Sequence, residues 1–358
     1  MNKPVKKRKT KAVSVGNVQI GGGAPVVVQS MTCTDTRNVP ETIAQIAALE
    51  KAGCEIVRVA VPDQDAASVL GEIKKAISIP LIADIHFNHR YALMAIDQDI
   101  DGIRINPGNM GKKNIEEVVR AAKEHNTVIR IGINAGSLEK ELQEKHGGPT
   151  AEALAESALN NLALVEDMGF DRIKLSLKSS NVPTMINAYR IIADKTDYPL
   201  HLGVTEAGTL VSSAVKSSIG MGLLLYEGIG DTIRVSVTGN PVSEIGIAYD
   251  ILRALDIRRV GPDIISCPTC GRCEIDLFGL VEQVEQSLSG MTDYLKIALM
   301  GCVVNGPGEA AEADVGIAGG KGTGLLFKKG QVIRKIKEED FVKVLLQEIS
   351  EITGKNNR

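Results

Sequence analysis

A repeated alternation of strand-like and helix-like segments constrains what most of this chain can fold into. Each strand-like run is rich in Val and Ile and is followed by a turn and an amphipathic helical pattern. The strand-like runs cover residues 26–32, 55–61, 80–86, 102–108, 128–134, 172–178, 199–205 and 232–238. Such alternation implies a parallel sheet, because each helix returns the chain to the same end of the sheet. Eight repeats favour a (β/α)8 barrel over an open doubly wound sheet, and no G-x-G-x-x-G sequence follows the first strand to support a dinucleotide fold.

We expect two domains. The alternation predicts a substrate-binding TIM barrel over residues 1–258, and a different pattern predicts a smaller α+β domain over residues 259–358. In the second domain an amphipathic helix is predicted at 276–288, a strand at 295–301 and a closing helix at 338–353. Further short strands separated by glycines are expected between them.

Polar and charged side chains recur at every second position of the predicted barrel strands. Because side chains alternate between the two faces of a strand, these residues share one face, while Val and Ile occupy the face that packs against the helices. The side chains expected to point into the barrel are Arg58, Asp84, His86, Arg104, Asn106, Arg130, Asn134, Lys174, Ser176, Lys178, His201, Thr205, Arg234 and Ser236.

The predicted interior is strongly cationic. Five strands supply an arginine or lysine and a sixth supplies a histidine: Arg58, Arg104, Arg130, Lys174, Arg234 and His201. Unpaired buried cations cost several kcal/mol each, roughly, and Asp84 and Glu206 cannot neutralise all of them. A bound polyanion such as a diphosphate would resolve this, because arginine forks grip phosphate oxygens. The alternative is that basic residues at the strand ends pair with acids in the rim loops.

Two loops near the C-terminus gather sulfur donors. The sequences CPTCGRC at 267–273 and MGCVVNGPGE at 300–309 contain four cysteines, namely Cys267, Cys270, Cys273 and Cys302. Cysteines on one loop, closed by another on a distant loop, suit a metal or iron–sulfur centre. The four ligands would be all four cysteines, or three of them with Glu309. A carboxylate ligand exchanges more easily, so that one iron could accept a substrate oxygen. A structural zinc knuckle is the alternative for the same spacing.

Composition limits the possible partners. The 358 residues carry a net charge of −3, 3% aromatic residues and no Trp, which argues against nucleic-acid binding. The basic run at residues 3–11 is interpreted as a solvated terminus, and no apolar run approaches the length of a membrane span. Six cysteines, three of them in one loop, are too few and too clustered for a disulfide scaffold, so a reducing, cytoplasmic setting is expected.

Seven motifs spread over essentially the whole chain resemble those of the 4-hydroxy-3-methylbut-2-enyl diphosphate synthases of the non-mevalonate isoprenoid pathway. They are QSMTCTDT (29–36), RINPGN (104–109), INAGSL (133–138), LGVTEAG (202–208), RVSVTG (234–239), CPTCGR (267–272) and MGCVVNGPGE (300–309). The chain is similar to the two-domain bacterial form of this family, which lacks the large insert of the plant enzymes.

The resemblance implies a reaction and a cofactor. In this family the barrel binds 2-C-methyl-D-erythritol 2,4-cyclodiphosphate and reductively opens and dehydroxylates it. The C-terminal domain carries a 4Fe–4S cluster that receives electrons singly from flavodoxin or ferredoxin. The implied ligands are Cys267, Cys270, Cys302 and Glu309, whereas Cys273 occupies a position that the family pattern does not use. The resemblance also implies a homodimer, in which the cluster domain of one subunit closes over the barrel of the other.

The resemblance and the predicted interior together imply the site residues. Substrate binding is expected of Arg58, Arg104, Asn106, Arg130, Asn134, Lys174, Ser176, His201, Arg234, Ser236 and Asn305. Glu206 is expected to be the proton donor, with His86 and Asp84 as further candidates. Glu309 is expected to yield its iron to the C3 hydroxyl of the substrate.

Two other classes of protein fit parts of the sequence. One is a non-redox barrel enzyme, similar to an aldolase or a pteroate synthase, with a structural zinc knuckle. The other is a binding protein whose knuckle contacts nucleic acid, which the low aromatic content and the acidic net charge oppose. Radical S-adenosylmethionine chemistry would need a Cys-x3-Cys-x2-Cys run, which the sequence lacks.

Overall fold

The computed structural model describes residues 5–86, 88–302 and 311–354. The chain divides into two compact units, residues 1–258 and 259–358. The first contains a nearly closed barrel of eight parallel strands, and the second is a smaller unit built on a mixed five-stranded sheet. The predicted fold class, a (β/α)8 barrel followed by an α+β domain, is therefore confirmed. Within the described ranges, no helix is both long enough and apolar enough to cross a membrane.

Eight strands form the barrel. They are β3 Val27–Met31, β4 Ile56–Ala60, β5 Leu81–Asp84, β6 Gly102–Ile105, β7 Val128–Asn134, β8 Ile173–Lys178, β9 His201–Leu202 and β10 Thr232–Ile233. Their order in the sheet is β8-β7-β6-β5-β4-β3-β10-β9, and a parallel bridge between Leu175 and Leu200 brings the two ends together. The last two strands are shorter than predicted. At Gly203 the backbone approaches so closely that a Cβ atom would lie 2.7 Å from the Arg234 carbonyl oxygen.

Ten helices accompany these strands in the described part of the first unit. They are α1 Val39–Lys51, α2 Gln64–Ser68, α3 Leu70–Ala76, α4 His89–Ile96, α5 Lys112–Glu124, α6 Lys140–His146, α7 Ala151–Glu166, α8 Val182–Lys195, α9 Leu210–Tyr226 and α10 Val242–Ala254. Side-chain caps define several of their starts. Asn38, Thr150 and Asn181 each accept a hydrogen bond from a backbone N–H of the first turn.

The barrel interior changes from apolar to polar along the strands. A short hairpin of β1 Val13–Val15 and β2 Val18–Ile20 packs against the amino-terminal ends of the barrel strands. The buried residues of this layer are Val13, Val15, Ile20, Val27, Ile56, Ile82 and Val128. Two residues further along the same strands, on the same face, stand Gln29, Arg58, Asp84 and Arg130. Hydrophobic burial thus seals one end of the barrel, and the charged layer lies towards the end where barrel enzymes bind substrates.

The described residues of the second unit form one sheet and two α-helices. Its strands are β11 Pro262–Ser266, β12 Leu295–Met300, β13 Val315–Gly320, β14 Thr323–Lys328 and β15 Gln331–Lys337, in that order, with α11 Leu277–Ser287 and α12 Phe341–Thr353. Val284 and Leu345 of the helices pack on Ile297 and Ile317 of the sheet. Because β11 and β12 are parallel neighbours, the loops that follow them begin side by side.

Candidate active site

Four of the cations predicted to face the interior are buried, and three of them, Arg104, Arg130 and Lys174, lie in one row across neighbouring strands. Arg58, Arg104, Arg130 and Lys174 are 7%, 3%, 1% and 1% exposed. Strand register explains their proximity, because Arg130 pairs directly with Arg104 on one side and with Lys174 on the other. Asp84 pairs with Arg104 in the next ladder, so a carboxylate stands at the end of the row. Parallel pairing therefore places side chains from four consecutive strands at one height in the barrel.

Asp84 is the acidic partner of this row. Its oxygens lie 3.8 Å from Arg58 Nε and 3.4 Å from Arg104 Nη1, and 3.5 Å from the half-exposed His86 ring at Nε2. Burial alone would raise the pKa of the Asp84 carboxyl, but Arg58, a hydrogen bond from His86 and Arg104 together hold that pKa well below its usual range. Asp84 therefore stays ionised near neutral pH and accepts a hydrogen bond from Arg104, while its charge attracts Arg58.

The deepest cationic groups retain unused hydrogen-bond donors. Among the described residues, Arg130 Nε and Nη1 have no hydrogen-bond partner, and neither has His201 Nε2, whose ring is held at Nδ1 by Thr232 Oγ1 at 2.7 Å. Burial, reinforced by neighbouring cations, lowers the pKa of Arg130, Lys174 and His201. A bound anion would accept hydrogen bonds from the buried donors and would stabilise the positive charges. This interior therefore suits a polyanionic ligand.

The remaining predicted site residues surround this row. Asn106 and Ser176 are buried, and Ser236 is half-buried after β10. Arg104 Nη2 donates to the Gly132 carbonyl at 3.1 Å and, in the amide orientation that satisfies both groups, to Asn134 at 3.2 Å.

Glu206 differs from the buried set. It is exposed in the loop after β9, with a left-handed backbone at φ 53°. A carboxyl there can exchange protons with water.

Two buried charges belong to the site although the sequence assigned neither of them a substrate-binding role. Lys178 is 6% exposed, and burial together with Arg234 and Arg58 lowers its pKa. Strand alternation had placed it, with Lys174, on the inward face of β8. Glu244, in the first turn of α10, is 3% exposed and lies 3.6 Å from Arg234 Nε. No strand pattern reveals Glu244, because it reaches the site from a helix.

The cysteine loops follow the two parallel strands of the second unit. Cys267 comes directly after β11, and Cys302 comes two residues after β12. The Gly301 N–H donates to Cys267 Sγ at 3.2 Å, and Glu274 N–H donates to the Gly301 carbonyl at 2.9 Å. Two segments about thirty residues apart are therefore bonded together around Gly301, while Cys270 is exposed at the tip of its loop.

Cys273 lies on the inner side of the same loop. Its thiol donates to the Ile275 carbonyl at 3.3 Å, and its sulfur is 2.5 Å from the point that a Cβ atom of Gly301 would occupy. It packs with Leu277 at the edge of the core. Glycine at 301 is therefore required by close packing against this sulfur.

None of the six cysteines forms a disulfide bond with another described residue. No group of three or more Cys, His, Asp or Glu side chains within residues 5–86, 88–302 and 311–354 is arranged to hold a metal ion. Glu309 and Asn305, predicted as a cluster ligand and a substrate contact, lie outside these described residues.

The fold and the site define a class of protein, a (β/α)8-barrel enzyme with a cationic interior and a cysteine-bearing accessory domain. Two family models match the chain, the GcpE TIM-barrel domain at residues 10–249 and the GcpE protein C-terminal domain at residues 263–351. Together they cover most of the chain, and the chain belongs to the GcpE family.

Curated relatives carry one name. The chain is 55% identical over 352 residues to the "4-hydroxy-3-methylbut-2-en-1-yl diphosphate synthase (flavodoxin)" of Geobacter sulfurreducens, covering 98% of this chain and 100% of the relative. It is 58% identical over 346 residues to the protein of the same name from Thermodesulfovibrio yellowstonii, covering 96% and 99%. Among solved structures, a type I 3-dehydroquinate dehydratase from Clostridium difficile matches with a TM-score of 0.51 at 16% identity, over 69% of this chain and 98% of that chain. That likeness concerns the barrel fold alone.

Proposed function

We propose that this chain is a flavodoxin-dependent 4-hydroxy-3-methylbut-2-en-1-yl diphosphate synthase, an oxidoreductase of isoprenoid precursor biosynthesis. Its substrate would be 2-C-methyl-D-erythritol 2,4-cyclodiphosphate. The observation that carries this proposal is that the cationic side chains in the barrel interior outnumber the acidic side chains in contact with them. Relatives that align with 96–98% of this chain and carry this enzyme's name support the assignment.

The charge balance of the reaction explains why the barrel interior is cationic. Two electrons and one proton are consumed. The bond from the tertiary carbon to a phosphate oxygen breaks, a C=C double bond forms, and the C3 hydroxyl leaves as water. The two phosphodiester charges of the ring become three charges on the open diphosphate. Fixed cations such as Arg104 and Arg130 therefore bind the reacting state more tightly than the ring, which lowers the barrier.

The cysteine loops suit an iron–sulfur cluster in their donor chemistry. Thiolates on two adjoining loops, with a backbone N–H directed at Cys267 Sγ, are typical of such centres. The cluster would be held by Cys267, Cys270, Cys302 and Glu309, and it would supply single electrons and a Lewis-acidic iron. Cys273 would remain a packing thiol, since it already bonds to the Ile275 carbonyl.

Proton delivery is proposed for Glu206. It is exposed, so it can be reprotonated from solvent after each turnover. Asp84 is less suitable, because the adjacent arginines and His86 keep its pKa well below the usual range of a carboxyl. His86, half-exposed beside Arg104 and Asp84, is the second choice.

A homodimer is proposed on the basis of helix α9. Its outward face carries large apolar side chains that are between 45% and 74% exposed: Val211, Val215, Ile219, Leu223 and Tyr226. Their spacing forms one stripe along the helix, and Lys216 is the only charged residue of α9. An apolar stripe without charges can pack against its own copy across a two-fold axis, so a second copy of this chain is the expected occupant.

The proposed function is tested by anaerobic reconstitution with iron and sulfide, followed by an assay with the cyclodiphosphate and reduced flavodoxin. We expect a brown protein that forms the allylic diphosphate. A colourless protein with stoichiometric zinc and no turnover would instead indicate a non-redox barrel enzyme with a structural zinc site. Dithionite with a viologen dye serves as the control, because it supplies electrons without a protein donor.

A further inference from the structure

A methionine sulfur lies between two of the interior arginines. Met31 ends β3, whose neighbours in the sheet are β4 with Arg58 and β10, which precedes Arg234. Arg58 donates to Met31 Sδ from Nε at 3.2 Å and from Nη2 at 3.0 Å. Arg234 Nη1 approaches the same sulfur at 3.8 Å. One thioether therefore contacts the guanidinium groups of both neighbouring strands.

The acidic partners of these two arginines lie further away. Asp84 is 3.8 Å from Arg58 Nε, and Glu244 is 3.6 Å from Arg234 Nε. Neither contact meets the distance of a direct hydrogen bond. Glu244 is instead occupied by Ser30 Oγ at 2.9 Å and by the Val237 N–H at 3.0 Å. The position between the two arginines is thus filled by a neutral acceptor, although a carboxylate would bind them more strongly.

Strand β3 provides a second neutral acceptor two residues before Met31. Gln29, on the same face as Met31, receives Lys174 Nζ at 3.5 Å through its amide oxygen. Gln29 and Met31 of β3 therefore both offer neutral acceptors to cations of other strands. A neutral acceptor fixes the direction of a cation without cancelling its charge, which leaves the charge available to an anion.

We propose that Met31 is a positioning residue for diphosphate binding. Its sulfur sets the direction and spacing of the Arg58 and Arg234 guanidinium groups while adding no negative charge between them. This inference deepens the proposed function and rests on it, because it names the residue that arranges two of the substrate's cationic contacts. The weak thioether acceptor also lets both arginines turn towards phosphate oxygens when the substrate binds.

Two substitutions separate this role from simple packing. Met31→Leu keeps volume and apolar character but removes the acceptor, whereas Met31→Gln supplies a neutral acceptor of similar length. We expect Met31→Leu to raise the Kd of the cyclodiphosphate by about tenfold, as for the loss of one acceptor to a charged donor, and Met31→Gln to stay within about threefold of wild type. If Met31 only fills space, Met31→Leu should instead bind the cyclodiphosphate more tightly than Met31→Gln. The measurement is anaerobic calorimetry of the reconstituted holoenzyme without reductant.

Met185 provides the matched control, since it is fully buried in α8 and packs against Gly220. We expect Met185→Leu to be tolerated and Met185→Gln to lower Tm, with neither changing the Kd. If the two Met31 variants follow this packing order, or if Met31→Leu binds as tightly as wild type, the proposal is overturned. If Met31→Leu does not fold, Met31→Gln still decides, because weak binding by a folded Met31→Gln also overturns it. Failure of the wild-type protein to bind the cyclodiphosphate would instead count against the proposed function.

Discussion

The barrel interior and the cysteine loops place chemical groups in two different ways. Arg130 is 1% exposed and fixed by ladder pairing to the strands on both sides. Cys270 is exposed at a loop tip, where the nearest backbone hydrogen bonds are turns such as that from the Cys273 N–H to the Cys270 carbonyl at 2.9 Å. The interior is thus organised by the sheet, whereas the sulfur ligands depend on turns and on the group that they would hold.

This difference teaches which property each region can provide. A rigid ring of cations offers a preorganised electrostatic environment, whose cost of burial is met when the fold forms. The exchangeable iron ligand that we propose would need more freedom than a strand position allows. We therefore expect substitutions in the cysteine loops to remove the redox centre, and substitutions in the barrel to weaken substrate binding while leaving that centre intact.

The largest effect is expected from Cys267→Ser. Losing one thiolate ligand should remove the cluster and lower activity by at least about a thousandfold, because metal binding requires the full donor set. Iron and sulfide analysis with visible absorbance measures this. Cys273→Ser is the matched control on the same loop, and it should keep the cluster because Cys273 bonds to the Ile275 carbonyl. Equal loss of iron in both variants would show that Cys273 is a ligand.

Glu309→Ala should separate the two properties of the cluster site. We expect the protein to retain its colour, because three thiolates remain, but to lose turnover by about a hundredfold or more. Activity near that of wild type would show that the exchangeable-ligand role is wrong. Visible absorbance and the rate with dithionite and a viologen dye are measured on the same sample.

Arg104→Ala should show the converse behaviour. Removing a buried guanidinium that pairs with Asp84 should lower kcat/KM by about a hundredfold and weaken cyclodiphosphate binding. Iron content should equal that of wild type. Arg190→Ala is the control. It removes an exposed arginine of α8 that pairs with Glu227, and it should change neither kcat/KM nor cyclodiphosphate binding. Unchanged substrate affinity in Arg104→Ala would remove the anion-site interpretation.

Ile219→Asp tests whether the two regions work across subunits. A charge in the middle of the α9 stripe should shift the protein to a monomer in light scattering and lower activity by about tenfold at low concentration. Ala47→Asp, at an exposed position of α1, should leave a dimer. A variant that is monomeric and fully active would show that the barrel does not need the cluster domain of another subunit.

The sequence predicts the strand-positioned side chains of the barrel better than the contacts that form between elements. Alternation along a strand identifies a face, so Arg58, Arg104 and Arg130 could be assigned to the interior before their contacts were known. It does not identify partners. Met31 and Glu244 contact the arginines only because β3, β4, β10 and α10 meet when the barrel closes, and that closure is a tertiary event with no local pattern.

In the cysteine loops, spacing predicts which segments meet, as the Gly301 to Cys267 hydrogen bond illustrates. The choice among ligands came instead from the family resemblance. Donor type and spacing alone left Cys273 and Glu309 as equal candidates, because a thiolate and a carboxylate can both complete such a site.

The smallest expected effect concerns protons taken up on binding. Burial and neighbouring cations lower the pKa of Lys174 and Lys178 well below the usual value of a lysine, which favours their neutral form in the free barrel. A bound diphosphate favours the charged form and raises both values. Binding should therefore take up protons between the two sets of pKa values, and affinity should fall a few-fold as pH rises through that range.

Calorimetry with the cyclodiphosphate in two buffers of different ionisation enthalpy measures this uptake. The cyclodiphosphate is the suitable probe, because its phosphodiester groups do not titrate in this range. Lys178→Met should reduce the uptake, whereas Lys195→Met, on the outer surface at the end of α8, should not. Binding without proton uptake would mean that the lysines are already charged in the free barrel. The barrel would then have to compensate its cations by contacts other than those of Asp84 and Glu244, and the case for a barrel prepared for an anion would be lost.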